Sequence, residues 1–191
     1  VLGSRRLGDV YKRQGIGSYL PSSFFYLSLS NTVGGAIFHD GNLLPGDAFR
    51  CGEAGHMTLI PDGKPCYCGK TGCVDAYCSA RVLSDLSGGR LEDFFLGLQQ
   101  NNPDYRSVWD TYLKHLAVVI NNLHMILDYD IVLGGYVGSF LTPWLDTIRH
   151  LVAERNTFED DGSFVKLCTY QTGAAAYGAA MDVMEEFLRT V

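Results

Sequence analysis

Two short stretches, Gly52-Glu-Ala-Gly-His56 and Cys66-Tyr-Cys-Gly-Lys-Thr-Gly-Cys73, decide how this chain of 191 residues is read. They set one histidine and three cysteines at H-x9-C-x-C-x4-C spacing, with Glu53 before the set and Asp75 after it. Zinc takes imidazole nitrogen and thiolate sulfur in a closed tetrahedron where its role is structural, and a Cys3His set leaves no position open for a catalytic water. His56, Cys66, Cys68 and Cys73 are therefore read as the ligands of a structural zinc ion. Cys66 and Cys68 stand too close along the chain to reach disulfide geometry, and Gly69 and Gly72 let the backbone turn around an ion. The competing reading is a set of buried free thiols beside an unrelated histidine. Four ligating side chains gathered between His56 and Cys73 favour the metal.

Composition narrows the classes. Hydrophobic residues make up 47% and charged residues 19% of the chain, as in ordinary globular proteins. No run of apolar residues is long enough for a membrane span. The formal charge of −6 argues against a broad nucleic-acid-binding face, so any DNA contact is expected to come from residues outside this chain. Three of the six cysteines are assigned to the metal, and Cys51, Cys78 and Cys168 are scattered, which suits a reducing cytoplasm better than a disulfide framework. The leader Val1-Leu-Gly-Ser-Arg-Arg-Leu-Gly-Asp-Val-Tyr-Lys-Arg-Gln14 does not belong with the rest: it is basic and lacks both an initiator methionine and the apolar core of a signal peptide. Residues 1–14 are read as a translated adaptor or vector-derived scar, the alternative being a natural basic arm, and 15–191 as the folded unit.

Patterning outlines that unit. Phe24-Phe-Tyr-Leu-Ser-Leu29 and Thr32-Val-Gly-Gly-Ala-Ile-Phe38 read as strands, and His39-Asp-Gly-Asn42 as a hairpin turn, because Asp-Gly tolerates positive φ angles. Leu43-Leu44 would begin the returning strand and His56-Met-Thr-Leu-Ile60 a further one. From Asp75 the period becomes helical, with Ala76, Tyr77, Ala80, Leu83 and Leu86 on one face and Gly88-Gly89 as the stop. A second helix is expected over Leu91 to Leu98. The longest runs from Tyr105 to Leu127, its apolar face carried by Val108, Tyr112, Leu116, Val119, Leu123 and Ile126. Asp130-Ile-Val-Leu-Gly-Gly135 is a buried strand ending in a glycine turn, followed by a helix over Leu141 to Glu154, a strand over Phe164 to Cys168 and a helix from Gly173 to Leu188. A meander followed by alternating strands and helices indicates an α/β fold, a mixed sheet with helices on its faces.

Gly52-Glu-Ala-Gly-His56, the cysteine loop, Asp75 and Leu133-Gly-Gly135 together resemble the ROK family of repressors, open reading frames and sugar kinases, over most of the chain from about Phe24 onward. The resemblance implies one lobe, the C-terminal one, of an actin-like, ribonuclease-H-like ATPase fold, with a sugar bound in the cleft between two lobes. It further implies that Glu53 and His56 contact sugar, and that the acidic residue two places after the last zinc cysteine, here Asp75, does so too. The family usually has Glu at that position, one methylene longer. The chemistry agrees: a carboxylate accepts charge-assisted hydrogen bonds from vicinal sugar hydroxyls, and an imidazole holding a metal on one nitrogen presents the other, its tautomer fixed. The plainer alternatives are that Glu53 caps a turn and Asp75 caps the helix beginning near Ala76.

Nucleotide contact is expected at Gly34 and Gly35, where kinases of the family carry a Gly-Thr-Gly-type phosphate loop, and at Gly134 and Gly135, in its adenosine-side turn. Glycine turns cradle phosphates through exposed N–H groups. Here Ser30 and Thr32 put β-carbons where a phosphate would approach, so ATP with magnesium is expected to bind poorly. The family's catalytic carboxylate lies in an Asn-Asp pair upstream of the first strand; in that region this chain has Asp9, out of context, so no catalytic residue is expected here. The primary reading is the sugar-binding lobe of a sugar-responsive transcriptional regulator, a homodimer whose DNA-binding part lies outside this sequence. The alternative is an ATP-dependent sugar kinase of the glucokinase or N-acetyl-sugar type, acting on a hexose or N-acetylhexosamine.

Overall fold

A computed structural model describes residues 22–169. The leader and the helix expected from Gly173 lie outside the described residues. Strand β1 (Phe24–Leu29) runs through the middle of a five-stranded sheet of order β3-β2-β1-β4-β5. It pairs antiparallel with β2 (Val33–His39) and parallel with β4 (Asp130–Gly134), which in turn lies parallel to β5 (Val165–Leu167). The hairpin from β2 into the two-residue β3 (Asn42–Leu43) turns on Asp40 and Gly41, at φ of 47° and 72°, as the Asp-Gly signal requires. The sheet is mixed, as the order of elements predicted.

All six residues of β1 are buried because the sheet has apolar material on both sides. Phe25, Leu27 and Leu29 face a core shared with the helices, whereas Phe24 and Tyr26 pack on the opposite face with Phe38, Val132 and Cys168. Phe24 and Phe38 stack at 4.9 Å across the β1–β2 pair. Fully burying one such side chain contributes about 1.5–3 kcal/mol.

The first helical region departs from the expectation. In place of one helix from Asp75 there are two single turns, α1 (Asp75–Cys78) and α2 (Arg81–Ser84), followed by a 3-10 turn (Asp85–Ser87). The break lies at Ser79, which is extended at ψ 159°. The Ala80 amide donates to the carbonyl of Ser30 at 2.7 Å, in the β1–β2 turn. That tertiary bond replaces a helical one and swings the chain. Gly88, left-handed at φ 65°, ends the region as expected.

Helix α3 (Leu91–Gln99) and the long α4 (Pro103–Leu127) follow. Asn102 caps α4 by accepting from the amides of Asp104 and Tyr105, and Pro103 takes the first helical position, where its missing N–H costs nothing. The buried face of α4 is Trp109, Tyr112, Leu113, Leu116, Ala117, Val119, Ile120 and Leu123. It is rotated from the predicted stripe at both ends: Val108 is only half-buried and Ile126 is 76% exposed. Beyond β4 comes a single turn, α5 (Gly135–Gly138), then a 3-10 turn over Thr142–Trp144 and helix α6 (Leu145–Ala153), shorter than the helix predicted from Leu141. No helix among the described residues is long and apolar enough to cross a membrane.

The segment His56 to Ile60 is not a strand. His56 instead closes a 3-10 turn (Ala54–His56), and beyond it only isolated bridges form, Thr58 to Cys73 and Pro65 to Thr71. The hydrogen-bonding capacity there is taken by a compact loop folding on itself, with Leu59 donating to Gly72 and Val74 to Met57.

Candidate functional site

Glycines press that loop onto the sheet. A β-carbon on Gly52, at φ 90°, would run into the carbonyl of Gly35, and one on Gly55 would strike the carbonyl of Val33. Both turns therefore lie backbone to backbone on β2, which only residues without a side chain permit. Gly72 packs in the same way on the Ile60 carbonyl. Glu53 and His56 are left exposed on the outer side.

The cysteine loop closes through Cys66 donating to Lys70 at 2.8 Å, Gly69 to Cys66 at 3.0 Å and Gly72 to Lys64 at 2.8 Å. It brings one ligating atom from each of His56, Cys66, Cys68 and Cys73 within 4.8 Å of one another. The Cys68 and Cys73 sulfurs are 3.7 Å apart. Two thiolates on a tetrahedral zinc, each at about 2.3 Å, stand about 3.8 Å apart, so the donor set fits such an ion. The thiols differ in their surroundings. Burial pushes Cys73 up to about 12, while the Lys70 backbone amide and then the Cys66 thiol hold the exposed Cys68 below its ordinary value.

Asp75 is buried, 6% exposed, at the start of α1. It does not cap that helix. Its Oδ1 accepts from the Val33 amide at 2.5 Å, tying the end of the cysteine loop to the first residue of β2. One carboxylate oxygen is thus committed to the fold. Asp75 also lines a cavity of about 490 Å3, together with Cys66, Tyr67, Ser79 and Arg81.

Tyr67, inside the Cys-x-Cys motif, is the residue that sequence reasoning missed. Its hydroxyl lies 3.2 Å from His56 Nε2, and the two rings meet edge to face at 5.3 Å. Its pKa is raised, first by partial burial and then by the negative charges of Asp75, Cys66, Glu53 and Cys68. Of the three predicted sugar contacts, His56 is the one that touches this phenol. An aromatic between two cysteines of the candidate metal set was the available signal, hidden because the x position is free in a motif defined by its cysteines.

The predicted nucleotide glycines are placed as follows. Gly34 has open space where a β-carbon would point, whereas one on Gly35 would enter the Phe25 ring. On Gly134 it would meet the Tyr26 hydroxyl. Gly135, at φ 81°, would bring it within 2.7 Å of the Leu29 backbone and the Ser30 hydroxyl. Close packing thus accounts for three of the four. Beside them a cavity of about 240 Å3 runs from Asn31, in the β1–β2 turn, to Tyr136 and Ser139 of α5, with Leu91 and Glu92 on its far wall.

Comparisons with known proteins agree on the family. The model of the ROK family matches residues 18–186. The chain is 28% identical over 203 residues to a glucokinase of Halalkalibacterium halodurans, which covers 94% of this chain. It spans 61% of the length of that curated relative. Among solved structures, the ROK hexokinase of Thermus thermophilus superposes with a TM-score of 0.74 at 21% identity, covering 94% of this chain and 64% of the other. A ROK family transcriptional regulator, a homolog of the E. coli MLC protein, superposes with a TM-score of 0.70 at 21% identity, covering 93% and 50%. The fold is therefore that of the actin-like sugar kinases, and it serves kinase and regulator alike.

Proposed function

The chain belongs to the ROK family, and on that premise we propose that residues 15–191 are the sugar-binding lobe of a two-lobed cytoplasmic protein, with residues 1–14 foreign to it. The ligand is a hexose or N-acetylhexosamine, held by Glu53, His56 and Asp75. The observation that carries this reading is the family match over residues 18–186, together with an alcohol-like oxygen, the Tyr67 hydroxyl, seated 3.2 Å from His56 Nε2. An imidazole that accepts an alcohol-like oxygen as a neighbour, with two carboxylates in the same segment, matches the needs of a polyol, whose hydroxyls both donate and accept. A structural zinc held by His56, Cys66, Cys68 and Cys73 would supply rigidity and fix the imidazole.

For the whole protein, the reading favoured is a dimeric sugar-responsive transcriptional regulator that meets DNA through a part outside this sequence. Its support is the Ser30 hydroxyl, which stands against Gly135 where the β1–β2 turn nears α5, the approach a phosphate would use. The second reading, an ATP-dependent sugar kinase, is favoured by the cavity between Asn31 and Ser139 and by the glucokinase relative. In that case Gly34, Gly35, Gly134 and Gly135 border the ATP–magnesium site, and the catalytic carboxylate comes from outside the lobe.

The test is calorimetric titration of the full-length protein with glucose and N-acetylmannosamine. Glu53→Gln is expected to weaken binding by ~1–3 kcal/mol, the scale for a hydrogen bond to a charged group. An affinity indifferent to that change defeats the sugar reading. Sugar-dependent ADP release by the same protein would replace the regulator with the kinase.

A further inference from the structure

Tyr67 stands between two halves of the site. Its ring forms part of the wall of the cavity that Asp75 lines, yet its hydroxyl is bonded to His56, which lies outside that lining. Glu53 is likewise outside the lining. The side chain is 64% exposed, so little packing opposes its rotation. Swinging it away would free His56 Nε2 beside the wall of the cavity that Asp75 lines.

The geometry points to Tyr67 as an internal ligand of the sugar site: its hydroxyl occupies the place on His56 that a sugar hydroxyl takes, and binding displaces it. The inference rests on the sugar reading above. An imidazole holding a metal on one nitrogen carries a proton on the other, and that N–H donates as readily to a phenol oxygen as to an alcohol. The two acceptors are therefore mutually exclusive at His56 Nε2. Displacement costs the protein one hydrogen bond that the sugar must replace, so the phenol sets a threshold. A ligand able to hydrogen-bond His56 and a carboxylate together passes it, and one offering a lone hydroxyl does not. Tyr67 on this account lowers affinity, through competition, for every ligand that takes His56 Nε2.

The experiment compares wild type, Tyr67→Phe and Glu53→Gln in the full-length, zinc-loaded protein, titrated with glucose and with N-acetylmannosamine. Tyr67→Phe keeps the ring and removes only the competing oxygen. It is expected to tighten the better-bound sugar by about three- to tenfold, the effect of deleting one neutral hydrogen bond, with zinc content unchanged. It should tighten a monohydric alcohol probe, cyclohexanol, by at least as much. Equal or weaker sugar affinity in Tyr67→Phe, while Glu53→Gln still weakens binding, overturns the competition and leaves the sugar site standing. Affinity indifferent to Glu53→Gln, or no binding by wild type, defeats the underlying reading instead. Should Tyr67→Phe lose zinc, Tyr67→Trp, which also lacks the hydroxyl, takes its place under the same expectations.

Discussion

Helix α4 and the loop from Gly52 to Asp75 are of similar length and are held in opposite ways. The helix has 25 residues, a capping asparagine, an N-terminal proline and a buried stripe that reaches the sheet. The loop has one 3-10 turn and two isolated bridges, and much of its order comes from backbone turns and glycines pressed against β2. The helix needs only apolar burial to persist. The loop has four ligand atoms converging where the helix has a core. A region without a hydrophobic interior of its own is where a metal contributes most to folding.

That contrast can be broken from either side. The largest effect is expected at Leu116→Ala, in the fully buried middle of α4, which should cost about 2–5 kcal/mol of global stability by chemical denaturation. Next comes Cys68→Ser. It should abolish bound zinc by elemental analysis and raise hydrogen exchange from His56 to Asp75 while α4 keeps its protection. Unchanged zinc content would refute the site, and loss of protection in α4 would refute the independence of the two regions. Asn102→Ala, which removes the cap, should cost ~1 kcal/mol, again read in the denaturation midpoint.

The smallest effect sharpens the boundary between them. His115 of α4 stacks edge to face on Tyr77 of α1, whose hydroxyl accepts from the Lys64 amide of the loop. Burial first and the Lys64 charge second lower the His115 pKa below its usual 6.5. A histidine lowered in the folded state favours the neutral form. Its contribution is therefore present above pH 6.5 and is lost as pH falls through the depressed folded value. His115→Gln should flatten the decline in stability between neutral and mildly acidic pH. An identical pH profile in the variant would show that this contact does not couple helix to loop.

Legibility followed the range of the interactions. The Asp-Gly turn, the Gly88 stop and the spacing of His56, Cys66, Cys68 and Cys73 are encoded within a few residues each, and all are present in the folded chain. The period from Asp75 to Leu86 was equally regular, yet the helix breaks at Ser79, because Ala80 bonds to Ser30 far back in the chain. Periodicity also put Ile126 on the core face of α4, where it is exposed. At the site, Asp75 gives one oxygen to Val33, and Tyr67, which the sequence did not single out, stands on His56. The glycines of β2 and of the turn after β4 were read for their openness to phosphate, whereas close backbone and ring packing accounts for Gly35, Gly134 and Gly135.

By itself the sequence determined the grouping of His56 with Cys66, Cys68 and Cys73, most of the strands and helices, the mixed sheet and the family, since each rests on residue chemistry at short, fixed spacing. Tertiary structure alone decided where the first helix breaks, which oxygen of Asp75 is spent on the fold, and that a phenol stands on His56. Those outcomes depend on contacts between Asp75 and Val33, Ala80 and Ser30, and Tyr67 and His56. A single hydrogen bond across such a separation leaves no periodic trace in the chain, yet it is strong enough to redirect one turn of helix.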